Sequence, residues 1–428
     1  MVDNDATLPA DAAAARSQAA GSIGRLLAEI DALIDADETA ERRIHGAWKT
    51  FDDITAAANA NSWDAYSIDL RVDAASYRRL DRRQQRALLR VFGTIYRAES
   101  VVDDWMNHIV AAIPSADPAA RGPSSYDALR TALKSQEHDE KMHRGSLFRA
   151  AVEVFGIASV EVERVARRNN NFVAETLFAH FNQQMAQLLR PGRPLDDVYT
   201  AIFIYGILSE DVIANSDVVI RRAKGNDKYA EYNLPGMRAG QTNVRRDEGR
   251  HVRIAVLATH KFLAEHPAAE TTLAAVCKEH LDLADTLLRR AKRSRGLIDA
   301  HLRESYGPDV DSLYYYLVNM KRFAVRLDEL GLRETVRDIR RRVDCAVAEF
   351  TDDTGNPVVD QPGLVARTLA PTALRLAERT GFLSSDDGAF MEPSGRNRWQ
   401  PFAKRDQAKG AQTRESAIVR NPWQPPEL

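Results

Sequence analysis

Apolar residues along this chain recur at every third or fourth position over long stretches, the spacing of one helix face. Ile23, Leu26, Leu27, Ile30, Leu33 and Ile34 set this period at the start and predict a helix over about 22–53. Residues 54–75, with Asn59, Asn61, Ser62 and Trp63, read as irregular connection. The period resumes over about 80–113 and stops at Pro114, and residues 114–124 carry loop chemistry with three prolines and a glycine. Further helices are predicted over 125–155 (ended by Gly156), 160–189 (ended by Pro191-Gly192), 195–223, and 234–266 (ended by Pro267). A last pair spans about 270–306 and 310–350, with Gly307-Pro308 between them. No strand pattern competes, so the expected class is all-α.

The character changes after residue 351. Pro357, Pro362, Pro371, Pro393, Pro401, Pro422, Pro425 and Pro426 break the pattern, and Phe390, Trp399 and Trp423 stand as scattered aromatic spots. This reads as an extended tail that wraps the body or docks on a partner. Residues 1–20 read as a frayed end. Three parts follow: an N-terminal helical extension (1–58), a helical body (59–350) and a Pro-rich C-terminal tail (351–428).

Composition narrows the function classes. A formal charge of −2 argues against a nucleic-acid footprint. The basic runs around Arg289–Arg293 and Arg340–Arg342 read as solvated helix faces. Two cysteines far apart, Cys277 and Cys345, make no disulfide framework. The first residues lack a basic start followed by an apolar run, and no stretch approaches 18 uninterrupted apolar residues. A reducing, cytoplasmic setting without a membrane span is the expectation.

Two short motifs carry chemistry: Glu140-Lys141-Met142-His143 and Glu248-Gly249-Arg250-His251. Residues three apart share a helix face, so each carboxylate and imidazole can serve one cluster. A dinuclear carboxylate site in a bundle needs two such helices and one more Glu from each of two others. The chain supplies that order. Glu99 lies among Val91, Phe92, Ile95 and Val102 before the first motif, and Glu210 lies among Ile202, Phe203, Ile207 and Val212 before the second. A carboxylate on an apolar face is costly unless paired or bound to metal. Four carboxylates with two imidazoles suit iron or manganese rather than soft metals. The neighbouring Asp103, Asp104, His108, Glu137 and Asp139 read as helix-surface charges, and Glu175, in an apolar run, as a spare ligand or pocket carboxylate.

At these residues the chain resembles the R2-like ferritin superfamily, with the greatest likeness to the R2-like ligand-binding oxidases, relatives of the ribonucleotide reductase small subunit. The likeness runs from about Asn61 to about Leu330. It is carried by Trp63 to Asp69, Glu99, Glu140/His143, Glu210, Leu234-Pro235-Gly236-Met237 and Arg246-Asp247-Glu248-Gly249-Arg250-His251. It implies a ferritin-like (R2-like) bundle with extra N-terminal helices and an extended tail. It implies two metal ions, Fe/Fe or Mn/Fe, on Glu99, Glu140, His143, Glu210, Glu248 and His251. It further implies that Asp247 orients His143, in keeping with the usual carboxylate partner of a ligating imidazole. Finally, it implies an ether bond between Val101 and Tyr205.

Two positions depart from relatives. Leu147 stands where the reductase small subunit carries its radical tyrosine, and Val244 stands where arylamine oxygenases have an additional histidine ligand. The expected activity is therefore dioxygen activation that oxidises a C–H or N–H bond of a mostly apolar small molecule. The expected partners are O2, a substrate or bound fatty-acid-like ligand, and a second copy of the chain. The alternative is a radical-generating small subunit docking on a large catalytic partner. A metal store without turnover ranks last, because ferritins are much shorter single bundles.

Overall fold

Local capping chemistry sets where several of the helices begin. The structure is a computed structural model that describes residues 24–39, 46–114, 126–170, 172–225, 227–289 and 295–350. Those residues are helical or connecting, with no strand among them. The helices are α1 (24–39), α2 (Phe51–Ala60), α3 (Arg71–Tyr77), α4 (Arg82–Ala112), α5 (Asp127–Arg149), α6 (Val162–Asn169), α7 (Phe172–Leu188), α8 (Leu195–Phe203) and α9 (Ser216–Ala223). They continue as α10 (Lys228–Glu231), α11 (Pro235–Glu265), α12 (Ala269–Ala284), α13 (Arg295–Tyr306), α14 (Ser312–Glu329) and α15 (Arg333–Phe350).

Thr50 opens α2 and Asp81 opens α4, each in a reciprocal capping box. Asp73 of α3 caps α11 from a distance, accepting from the Gly236 and Met237 amides at 2.9 and 2.8 Å behind Pro235 at the first helical position.

Four helices close into a ring. α4 packs on α5, α5 on α11, α11 on α8 and its continuation, and α8 back on α4. That continuation, Ile204–Asn215, is wound as a π-helix. Gly206 lets it approach α11, since a Cβ there would sit 2.2 Å from the Ala255 Cβ. α2 covers α5 and α11, α6 and α7 flank α4, and α14 lies behind the π-helix with α15 beyond it.

The all-α expectation holds, and several boundaries differ. The predicted 22–53 helix does not run through to 53: a turn at 46–50 precedes α2, because Thr50 caps a new start. Residues 54–75 are not irregular: they hold most of α2, a 3-10 turn at Ala65–Ser67 and the start of α3. The predicted 160–189 helix breaks after Asn169, in an asparagine run that favours local backbone bonding over helix. The predicted 310–350 helix breaks at Gly331, whose φ of 80° suits glycine. The 270–306 helix is divided into α12, a π-turn at Asp285–Arg289 and α13. The frayed start, the Pro-rich loop after Pro114, the Glu175 side chain, the basic run at 290–293 and the tail after 351 lie outside the described residues.

Candidate metal centre

Glu99 projects from α4, Glu140 and His143 from α5, Glu210 from the π-helix, and Glu248 and His251 from α11, the four members of the ring. All six are buried. Two groups of donors lie within 4.8 Å of one another: Glu99, His143 and Glu248, and Glu140, Glu248 and His251. Glu248 belongs to both. Its Oε1 lies 3.4 Å from His143 Nδ1, and its Oε2 lies 3.0 Å from His251 Nδ1. Glu140 spans the same gap, with Oε2 3.4 Å from His143 Nδ1 and Oε1 3.1 Å from His251 Nδ1. Glu99 Oε2 adds a contact of 3.3 Å to His143 Nδ1. The imidazole centroids are 5.6 Å apart. Glu210 hydrogen-bonds to Glu248.

The electrostatics point to missing positive charge. Burial pushes the Glu99 carboxyl up to about 8, against the pull of His143. Burial raises Glu210 well above the carboxylate range, and Glu248 and Glu140 beside it add to the rise. Burial also opposes charge on both histidines, but the surrounding carboxylates outweigh it and raise them well above the usual imidazole value. Glu140 shows the reverse balance: His251 and His143 overcome burial and hold it below the usual range. His143 Nδ1 and Glu140 Oε2, both aimed into the cluster, make no hydrogen bond within it. Buried polar atoms of that kind call for a partner, and two divalent cations among these donors would supply it.

The far nitrogens of both imidazoles are held by carboxylates in a crossed pattern. Asp247 Oδ2, from α11, lies 3.1 Å from Nε2 of His143 on α5. Asp139 Oδ2, from α5, lies 3.3 Å from Nε2 of His251 on α11. Burial pushes Asp247 up, but hydrogen bonds from His143 and Trp63 outweigh it and hold it at about 2. Trp63 donates Nε1 to Asp247 Oδ2 at 2.6 Å, and its ring stacks near His143 at 6.2 Å.

Asp139 corrects the sequence reading, which placed it on a helix surface. It is buried because the turn that aims Glu140 inward carries its neighbour against α11. A signal was present: Asp139-Glu140 and Asp247-Glu248 repeat the same pair before each histidine. Asp103 is likewise buried and bonded to Arg144 at 2.9 Å, whereas Asp104 and His108 are exposed and Glu137 pairs with Lys141.

Tyr205 is buried and donates its hydroxyl proton to Glu140 Oε1 at 2.5 Å, while its oxygen accepts from Gln136 Nε2 at 2.6 Å. Gln136 was not singled out in the sequence. The winding of the segment explains how Tyr205 and Glu210 both reach the centre. Residues five apart fall on different faces at 3.6 per turn, but i→i+5 bonding brings them together. Val101 is buried on α4 two positions after Glu99. Leu147 sits in an apolar cluster with Phe92, Tyr96, Ala151, Val162 and Ala166, and Val244 is buried.

No family profile matches the sequence, and no functionally curated protein matches it. Among solved structures, the chain is similar to an R2-like ligand-binding oxidase with aerobically reconstituted metal cofactor after photoconversion. The identity is 17% and the TM-score 0.49, covering 66% of this chain and 94% of that one. A variant of an R2-like ligand-binding oxidase with aerobically reconstituted Mn/Fe cofactor gives the same identity, score and coverage. Among the described residues, no helix is long and apolar enough to cross a membrane.

Proposed function

We propose that the chain is a dinuclear metal oxidase, holding Fe/Fe or Mn/Fe on Glu99, Glu140, His143, Glu210, Glu248 and His251 and oxidising a C–H or N–H bond of a mostly apolar small molecule. The observation that carries this is the sharing of Glu140 and Glu248 between two histidines from facing helices. When bound, the metal pair supplies reductive activation of dioxygen.

The chain's own groups prepare that chemistry. Glu140 and Glu248, each facing both histidines, would be shared between the two ions, Glu99 would add a carboxylate beside His143, and Glu210 one beside Glu248. Ligation needs neutral imidazole and ionised carboxylate. Loading therefore expels the protons that Glu99, Glu210 and the histidines hold in the metal-free protein. Asp247 and Asp139 accept from the Nε2–H groups and keep each Nδ1 facing inward. Tyr205 holds a proton 2.5 Å from Glu140, where it can be given up or taken back without water. Phe203, Ile207, Leu208 and Val212 are fully buried around the π-helix and keep the centre dry. In this reading Val101 and Tyr205 join through a bond from a valine side-chain carbon to the tyrosine oxygen. The two protons and two electrons lost, two hydrogen atoms in all, pass to dioxygen.

Metal analysis with anomalous diffraction tests the ligand set. Two ions per chain are expected, and Glu140→Ala or His251→Ala should abolish the pair while circular dichroism stays helical. Retention of two ions in either variant would refute the assignment. Oxygen uptake by the reduced protein separates an oxidase from a metal store. A cross-linked peptide pair two hydrogens lighter than its parts would report the Val101–Tyr205 bond.

One observation favours a second reading, a radical-generating subunit serving a large catalytic partner. The bonded series Trp63, Asp247, His143 connects a half-buried indole to the centre. Nucleotide reduction in a mixture with a large subunit would decide for it.

A further inference from the structure

Arg250 is the residue the proposed chemistry leaves unused. It lies on α11 one position before His251 and is 1% exposed, among the largest fully buried side chains of the protein. A buried guanidinium is retained only against a large desolvation cost, so what it faces is informative. A single nitrogen, NH2, donates to Asp139 Oδ2 and to Asp247 Oδ1, each at 2.8 Å. Those are the two carboxylates that hold the ligand histidines. Asp247 binds His143 Nε2 at 3.1 Å, and Asp139 lies 3.3 Å from His251 Nε2. The result is an unbroken series, His143–Asp247–Arg250–Asp139–His251, running behind the donors that face the metals. It crosses from α5 to α11, back to α5 and again to α11.

We propose that Arg250 is a positioning residue that couples the two metal positions, fixing the orientation of both histidines through one shared guanidinium. The proposal rests on the dinuclear reading above. Arg250 sits next to His251 in sequence, so a local packing role would disturb the His251 position alone. The crossed carboxylates predict something different. Without the guanidinium, Asp139 and Asp247 lose the buried cation they share, and both turn away from their imidazoles. Loss of such an outer partner weakens metal affinity by roughly 10- to 100-fold, and here it should do so at both positions together.

The test uses the full chain, stripped of metal and titrated with Co(II), whose visible absorption reports the ligand geometry at each position. The wild type should bind two equivalents. Asp139→Asn should weaken and spectrally shift the step belonging to His251, and Asp247→Asn the step belonging to His143. Arg250→Met should shift both bands and weaken both steps, by about tenfold or more each. The triple variant Arg250→Met/Asp139→Asn/Asp247→Asn removes the charge imbalance, so it keeps the experiment readable if Arg250→Met folds poorly. Its two steps should be as weak as those of the single variants taken together. If Arg250→Met alters only the His251 step or neither step, or if either step of the triple variant is weaker than in the matching Asn variant, the coupling role is overturned. A wild type that binds no Co(II) would instead refute the dinuclear site itself, a separate outcome.

Discussion

Glu210 and Asp211 are neighbours in the chain, both buried, and they end in opposite electrostatic states. Glu210 faces Glu248, Glu140 and Glu99, and its carboxyl is pushed well above its ordinary value, by burial first and by those neighbours next. Asp211 faces the other way, toward α14. Its Oδ1 accepts from Arg322 Nε and NH2 at 2.9 and 2.8 Å, and its Oδ2 from Arg326 Nε. Burial opposes its charge too, but the two guanidiniums outweigh burial and hold it below the usual carboxylate range. Arg322 also pairs with Asp37 of α1, so that helix is tied into the same cluster. Burial is common to both residues. What differs is where the compensating cation comes from: from the chain for Asp211 and, on the proposed reading, from bound metal for Glu210.

The largest expected effect comes from supplying the missing charge. At a hundredfold excess over Kd each site adds about 2.7 kcal/mol to the unfolding free energy. Two metals should therefore stabilise the protein by about 5 kcal/mol, read as a shift in thermal or denaturant unfolding. Asp211→Ala should keep most of that gain and Glu210→Ala should lose much of it. Equal responses in the two variants would erase the distinction between the neighbours.

Removing the acids themselves should give the second largest effect. Asp211→Ala removes the carboxylate shared by two buried guanidiniums, leaving Asp37 to Arg322 and Glu38 and Glu329 to Arg326, and should cost about 3–5 kcal/mol. Glu210→Ala in the metal-free protein should cost far less, because it relieves repulsion among carboxylates. Urea unfolding of the two metal-free variants measures both. A larger loss for Glu210→Ala than for Asp211→Ala would reverse the assignment.

The most gradual effect is a slope with pH. In the metal-free fold Glu99 titrates at about 8 rather than 4.5, so the folded state binds its proton more tightly than the unfolded state does. Its stabilising proton is fully present below about 4.5 and is lost as pH rises toward 8. Raised His143 and His251 act in the same direction above the usual imidazole value. Asp211 has the opposite sign: its contribution is present above the ordinary aspartate value and is lost as acid titrates the folded state. Each group contributes at most about 1.4 kcal/mol per pH unit. Metal-free protein should therefore lose stability between about pH 5 and 8, and metal loading should flatten that limb. A flat metal-free profile would mean the centre is not short of positive charge.

What was legible in the sequence was local. A Glu three residues before a His lies on the same face of any α-helix, so both pairs could be read from spacing. Glu99 and Glu210 showed as lone acids on apolar stripes. Boundaries were legible where Pro or Gly broke the period. They were missed before α2 and at Gly331, where a lone glycine (Gly46 or Gly331) stands in a stretch with no proline, and after Asn169, where asparagines interrupt the helix without either signal.

The chain's own order of residues thus determined the helical class and the identity and face of the candidate ligands, because periodicity and i,i+3 spacing are properties of a helix before it packs. Only the tertiary structure decided which acid serves which histidine. The Asp on each helix reaches the imidazole of the other, and Arg250 meets both, through contacts spanning more than a hundred residues of chain. The packed fold likewise shows the π-winding that brings Tyr205 and Glu210 to one face, together with the close approach of Gly206 to α11. Such pairings depend on how helices cross, and crossing geometry is set by packing between elements rather than by the period within one.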